Sequence, residues 1–117
     1  MIFFLSVLLK PLSPYSKSKL KFEIDLGWAI AGGADPEPWI EKYGERIIAC
    51  HLKDFFNKDS DLLEHNSQSP VGDGFIDWKK ILNSIKKTEC NLFILEHDDP
   101  ADYKKYTLKS IENLTKI

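Results

Sequence analysis

Two carboxylates and an imidazole dominate the chemistry that this sequence offers. Asp25, His51 and Glu96 lie 26 and 45 residues apart, each near the end of an apolar run. Carboxylate oxygens with one imidazole nitrogen suit Mn²⁺, Mg²⁺, Co²⁺ or Zn²⁺ without a sharp preference. Taken singly, each residue has an ordinary reading. A strand-end Asp caps a helix or forms a turn. A lone His is a hydrogen-bonded core or surface residue. Glu96, within Glu96-His97-Asp98-Asp99, belongs to a solvated acidic cluster. Matching positions at three strand ends argue instead for one site. Lys53 follows His51 by two residues and shares its side of an extended strand. It is placed to meet an anionic or hydroxyl-rich substrate, or to form a rim salt bridge. His65 and His97 read as surface residues. No C-x-x-C, H-E-x-x-H or Walker pattern competes, and Val71-Gly-Asp-Gly74 reads as a tight turn.

Positioning these groups falls to three apolar runs: 20–26, 46–52 and 91–97. Each is short, rich in Ile, Leu and Phe, and reads as a parallel strand covered on both faces. Helical segments follow each one. Asp35-Pro36 opens a helix whose face is Trp39, Ile40 and Tyr43, with Gly44 at its end. Asp77 caps a second, with Trp78, Ile81, Leu82 and Ile85 at helical spacing. Asp99-Pro100 opens a third, with a face of Tyr103, Tyr106, Ile111 and Leu114. The link from 55 to 76 is long and polar, as active-site lids often are. Strand–helix alternation implies a parallel sheet with right-handed crossovers. The 26-residue spacing is close to the ~31 residues per unit of a (β/α)8 barrel. Ligands to such sheets bind at the strand C-termini. Alternation puts Glu23 beside Asp25, Ile47 and Ala49 beside His51, and Leu92 and Ile94 beside Glu96.

The chain has 117 residues, a net charge of −2, 43% hydrophobic and 29% charged residues, which is one domain's worth of ordinary globular composition. The near-neutral balance argues against nucleic-acid and anionic-membrane partners. Cys50 and Cys90 cannot build a disulfide framework and read as reduced, buried thiols. Met1–Leu9 is apolar but lacks a basic n-region and a cleavage site, so a core element is expected there and cytoplasmic localisation for the protein.

Five segments occur in order: Glu23-Ile-Asp-Leu-Gly-Trp-Ala29, Ala31-Gly-Gly-Ala-Asp-Pro36, Gly44-Glu-Arg-Ile-Ile-Ala-Cys-His-Leu-Lys-Asp54, Val71-Gly-Asp-Gly-Phe-Ile-Asp-Trp78 and Phe93-Ile-Leu-Glu-His-Asp98. Together they resemble the C-terminal half of sugar phosphate isomerases/epimerases with the xylose isomerase-like TIM barrel. The resemblance implies an α/β fold: about three βα units of a (β/α)8 barrel over residues 20–117, with a remnant helix and connection over 1–20. It implies metal ligation by Asp25, His51 and Glu96, a catalytic role for Glu96, and substrate contacts from Trp28 and Lys53. The activity implied is divalent-metal-dependent isomerisation or epimerisation of a sugar or sugar phosphate. A proton then passes between two carboxylates through a metal-stabilised enediolate. The family's second carboxylate, a Glu of the fifth strand, has no counterpart in this chain. The expected protein is therefore a C-terminal fragment with a small-molecule substrate. The rival expectation is an inactive remnant or interaction module; on either reading the isolated chain is expected to self-associate or aggregate through a face of Ile47, Ala49, Leu92 and Ile94. The abasic-site endonuclease branch of the same barrel is disfavoured by the charge balance.

Overall fold

The computed structural model describes residues 20–56 and 67–117. The expected remnant helix up to residue 19, the Met1–Leu9 run, His65 and the middle of the long link lie outside these residues. In chain order the elements are β1 (Phe22–Asp25), α1 (Leu26–Ala31), α2 (Glu37–Tyr43), a 3-10 turn (Gly44–Arg46), β2 (Ile47–Leu52), β3 (Asp54–Phe55), β4 (Gln68–Ser69), α3 (Trp78–Ile85), β5 (Leu92–Leu95) and α4 (Tyr103–Leu114). The three expected strands form one parallel sheet in the order β1-β2-β5, and β3 pairs antiparallel with β4. No closed barrel forms among the described residues. None of their helices is long and apolar enough to cross a membrane.

Register brings the strand ends level. Asp25 lies opposite His51, and His51 opposite Ile94. The Glu96 amide extends this ladder, donating to the Leu52 carbonyl at 3.2 Å. Alternation holds along most of β2 but breaks at its start. Phe22 pairs with Ile47 while Glu23 pairs with Ala49, which leaves Ile48 as an extra residue. Such a bulge reverses the facing of what precedes it. Ile47 is therefore not on the His51 face; it is buried in an apolar cavity with Phe22, Leu26, Trp39 and Tyr43. Ile48 is exposed instead. Of the face expected to lie uncovered, Ala49 is buried and Leu92 is exposed.

The helices pack as amphipathic elements. Ile40 and Tyr43 of α2 and Trp78, Ile81 and Ile85 of α3 are buried, matching the expected faces. The third helix differs. It starts at Tyr103, three residues beyond Pro100, and Asp102 caps it by accepting from the Lys105 amide at 3.0 Å. Its buried residues are Tyr106 and Ser110, while Tyr103 and Ile111 are exposed. Hydrogen bonds set that rotation. The Ser110 hydroxyl accepts from the Val71 amide at 3.0 Å, and the Tyr106 hydroxyl donates to the Glu96 carbonyl at 2.8 Å. Arg46, the lone arginine of the chain, stacks over the Phe22 ring at 4.3 Å and donates from Nε to the Leu20 carbonyl at 3.1 Å.

The end of the long link is tightly organised around one carboxylate. Asp54 is fully buried and accepts from the amides of Phe55 (2.9 Å), Gly72 (2.9 Å), Gly74 (3.2 Å) and Ile76 (3.3 Å) and from Trp78 Nε1 (2.9 Å). Burial nevertheless raises its pKa above the ordinary aspartate value. Gly72 takes φ 91°, which favours glycine. At Gly74 a Cβ would stand 2.1 Å from Asp54 Oδ1, so only glycine admits the carboxylate.

Asp54→Ala removes the acceptor from these donors, of which those of Phe55, Ile76 and Trp78 are buried. Urea unfolding should show a loss of about 3–4 kcal/mol, with Asp54→Asn losing distinctly less because it keeps one acceptor oxygen. Equal losses in the two variants would contradict this account.

Candidate metal centre

Three strand ends deliver the candidate ligands. Asp25 ends β1, His51 is the penultimate residue of β2, and Glu96 follows β5 directly. One donor atom from each lies within 4.8 Å of the others. Metal–ligand distances of ~2.0–2.3 Å put the donors of one ion within ~4.6 Å of each other. The triad, within 4.8 Å, is close to that spacing, and a small side-chain adjustment would let it share a cation. These are also the hard-oxygen and imidazole donors that first-row divalent ions and Mg²⁺ accept.

Asp25 plays two parts. Its Oδ1 accepts from the Trp28 amide at 2.8 Å, capping α1, the short helix that the sequence reading missed. Its Oδ2 faces Lys53 Nζ at 3.8 Å. Burial raises the Asp25 pKa, against the lowering effect of the Trp28 amide and Lys53.

His51 is held on both edges of its ring: Glu96 Oε2 meets Nδ1, and Glu23 Oε1 meets Nε2. The hydrogen bond to Glu23 does most to raise the His51 pKa, with burial opposing and Glu96 and Asp25 adding to it. Glu23 is the functional neighbour that sequence reasoning placed on the right face but left without a role. Its signal was the i, i+2 spacing from Asp25.

Lys53 is 1% exposed at its side chain, although it carries a full charge. Its Nζ lies 2.8 Å from Asp98 Oδ1, 3.5 Å from Glu96 Oε1 and 3.8 Å from Asp25 Oδ2. Asp98 is fixed in turn by Gln68, whose side-chain amide donates to Oδ2 and accepts from the Asp98 amide at 3.0 Å. Asp98 was read only as a member of a solvated cluster; its pairing with a residue of β4 across the link is not visible in local sequence. Trp28 lies beneath Lys53, its ring 5.0 Å from Nζ and packed edge-on to Phe55 at 5.2 Å. His97 is half-buried rather than on the surface. It packs edge-on to Tyr106 at 5.0 Å, and burial lowers its pKa. The Tyr106 hydroxyl is pushed up to about 12 by burial, so it stays protonated and keeps its bond to the Glu96 carbonyl.

The rim therefore combines five carboxylates, Glu23, Asp25, Glu96, Asp98 and the more distant Asp54, with one imidazole and one buried ammonium. The apolar cavity behind the sheet includes Asp25 in its lining but neither His51 nor Glu96. It is the packing seam of β1 with α1 and α2 rather than a substrate pocket.

No curated protein matches the chain. A solved structure of a sugar phosphate isomerase/epimerase from Parabacteroides distasonis ATCC 8503 superposes with a TM-score of 0.60 at 21% identity. The match covers 90% of this chain and 32% of that protein, so the chain spans about a third of its length. At this identity the likeness is one of fold. The family model for the xylose isomerase-like TIM barrel matches residues 12–117. The chain belongs to the xylose isomerase-like TIM barrel family.

Proposed function

We propose that this chain carries the metal-holding rim of a divalent-metal-dependent sugar or sugar-phosphate isomerase or epimerase, as about three βα units of the barrel. The observation that supports it is the Asp25–His51–Glu96 triad, with donor atoms within 4.8 Å at the ends of three adjacent parallel strands. Asp25 Oδ2, an edge of the His51 ring and the Glu96 carboxylate would hold Mn²⁺, Mg²⁺, Co²⁺ or Zn²⁺. A bound ion supplies Lewis-acid stabilisation of the negative charge on substrate oxygen. Glu96 takes or returns the proton at the carbon beside the carbonyl. Lys53 balances the carboxylates of the rim. Trp28 offers an apolar wall against a sugar face. The cytoplasm remains the proposed setting, with a small molecule as the substrate.

Glu23 has a defined part in this reading. By holding Nε2 it fixes the ring and presents the Nδ1 edge to the triad, the carboxylate–histidine–metal arrangement that tunes many sites. Titration calorimetry with Mn²⁺ should show one weak site that His51→Ala abolishes. Glu23→Ala should weaken it by about 10–100-fold, and Glu23→Gln by less, since it keeps an acceptor for Nε2–H. Unchanged affinity in His51→Ala would put the ion elsewhere.

Uptake of the ion must displace a proton from His51, whose pKa is raised. Apparent affinity should therefore fall as pH is lowered through that raised value, and level off above it. Affinity that is flat across this range would contradict ligation by His51.

One carboxylate can exchange a proton on one face of carbon without completing an epimerisation. With Mn²⁺ and a panel of ketoses in deuterated water, we expect slow exchange at the carbon beside the carbonyl, no net conversion, and loss of exchange in Glu96→Gln. Net conversion would show that another carboxylate completes the pair. Exchange that survives Glu96→Gln would remove Glu96 from the chemistry.

A second reading, an interaction module, is favoured by exposed Leu92 and Phe93 on β5, an edge of the sheet among the described residues. Light scattering of the purified chain separates the two: self-association that Leu92→Lys reverses supports it, and a monomer excludes it.

A further inference from the structure

Cys50 and Cys90 are both free thiols, and their sulfurs lie 3.3 Å apart. The contact joins different elements: Cys50 lies in β2, and Cys90 two residues ahead of β5. The backbone already holds these segments together, since the Asn91 amide donates to the Ile48 carbonyl at 3.2 Å. Bond formation to about 2.05 Å needs a sulfur shift well within side-chain rotation. The two thiols differ in access. Cys50 is fully buried, whereas Cys90 is partly exposed.

We propose that Cys50 and Cys90 form a reversible oxidation site, closing to a disulfide that staples β2 to the start of β5 when the protein meets a low-molecular-weight disulfide. Glutathione disulfide serves as the oxidant. The Cys90 thiolate attacks one of its sulfurs, forms a mixed disulfide and releases one glutathione thiolate. The Cys50 sulfur, after losing its proton, attacks Cys90 Sγ; the Cys90–glutathione bond breaks and the second glutathione thiolate leaves. Two protein thiols are oxidised, one glutathione disulfide is reduced to two thiols, and the two protons pass to the glutathione thiolates. Cys50 is fully buried, which makes the second step the slow one. The bridge closes a loop across 40 positions and so restricts the unfolded chain. It also ties together the strands that bear His51 and precede Glu96.

The test uses the full chain incubated with glutathione disulfide, with thiol counting, intact mass, a non-reducing gel and a thermal melt. Both thiols should be lost, the mass should fall by two hydrogens, and migration should stay that of a single chain. The unfolding midpoint should rise by several degrees, and dithiothreitol should reverse every change. Cys50→Ala should stop at a glutathione adduct on Cys90, and Cys90→Ala should leave the buried Cys50 unmodified. A stable adduct or two intact thiols in the unsubstituted chain would overturn the proposal, as would a disulfide between chains. These readings on the unsubstituted chain decide the matter even where a variant folds poorly.

Discussion

A single buried carboxylate governs how the rim is assembled. Asp54 gathers four amides and an indole N–H, from Phe55 on one side and from residues 72–78 on the other. Without it, the buried donors of Phe55, Ile76 and Trp78 would be unpaired, at a cost of about 1 kcal/mol or more each. Because the turn around Val71–Gly74 is fixed, Gln68 is fixed on β4, and with it the amide that grips Asp98. Asp98 in turn is the nearest counter-charge of Lys53. A structural acid one residue from a buried ammonium thus sets the electrostatics of the triad without touching it.

Lys53 illustrates the balance of charge at the rim. An ammonium that is almost wholly buried persists only when paired and hydrogen-bonded. Here it faces three carboxylates, of which two belong to the triad. A divalent cation in the triad would add positive charge beside it. Asp98 and Glu23 supply negative charge outside the triad, on opposite flanks, and offset that addition. This gives a physical reason for an acidic rim larger than the triad alone.

Much of this was legible in the sequence, for identifiable reasons. The three parallel strands showed as continuous apolar runs; β2 has adjacent buried residues, Ala49 and Cys50, on its two faces, whereas β1 and β5 leave Glu23, Leu92 and Phe93 exposed. The faces of α2 and α3 followed from 3.6-residue periodicity in Trp, Ile and Tyr. The triad was visible because βα spacing delivers strand ends at regular intervals. Hidden features depended on contacts distant in sequence. The bulge at Ile48 is a matter of pairing, not of pattern. The rotation of α4 answers to hydrogen bonds with Val71 and Glu96, which outweigh the burial of Tyr103 and Ile111. Helix α1 is too short for periodicity to reveal, and the β3–β4 pair joins residues separated by the long link.

The missed helix matters because capping and site formation share one side chain. Asp25 can cap α1 only with its backbone extended, the conformation of a residue ending a strand. Capping commits Oδ1 to the Trp28 amide and orients the carboxylate, leaving Oδ2 on the rim. The same helix must lie hard against the chain beyond His51. A Cβ at position 27 would stand 2.3 Å from the Lys53 carbonyl oxygen, so glycine is required there. Asp25, Gly27 and Trp28 then act as one unit: the carboxylate starts the helix, the glycine admits the Lys53 backbone, and the indole covers its side chain. The ordinary reading of a strand-end aspartate as a helix cap and the functional reading as a ligand are therefore compatible. The cap is what leaves Oδ2 on the rim.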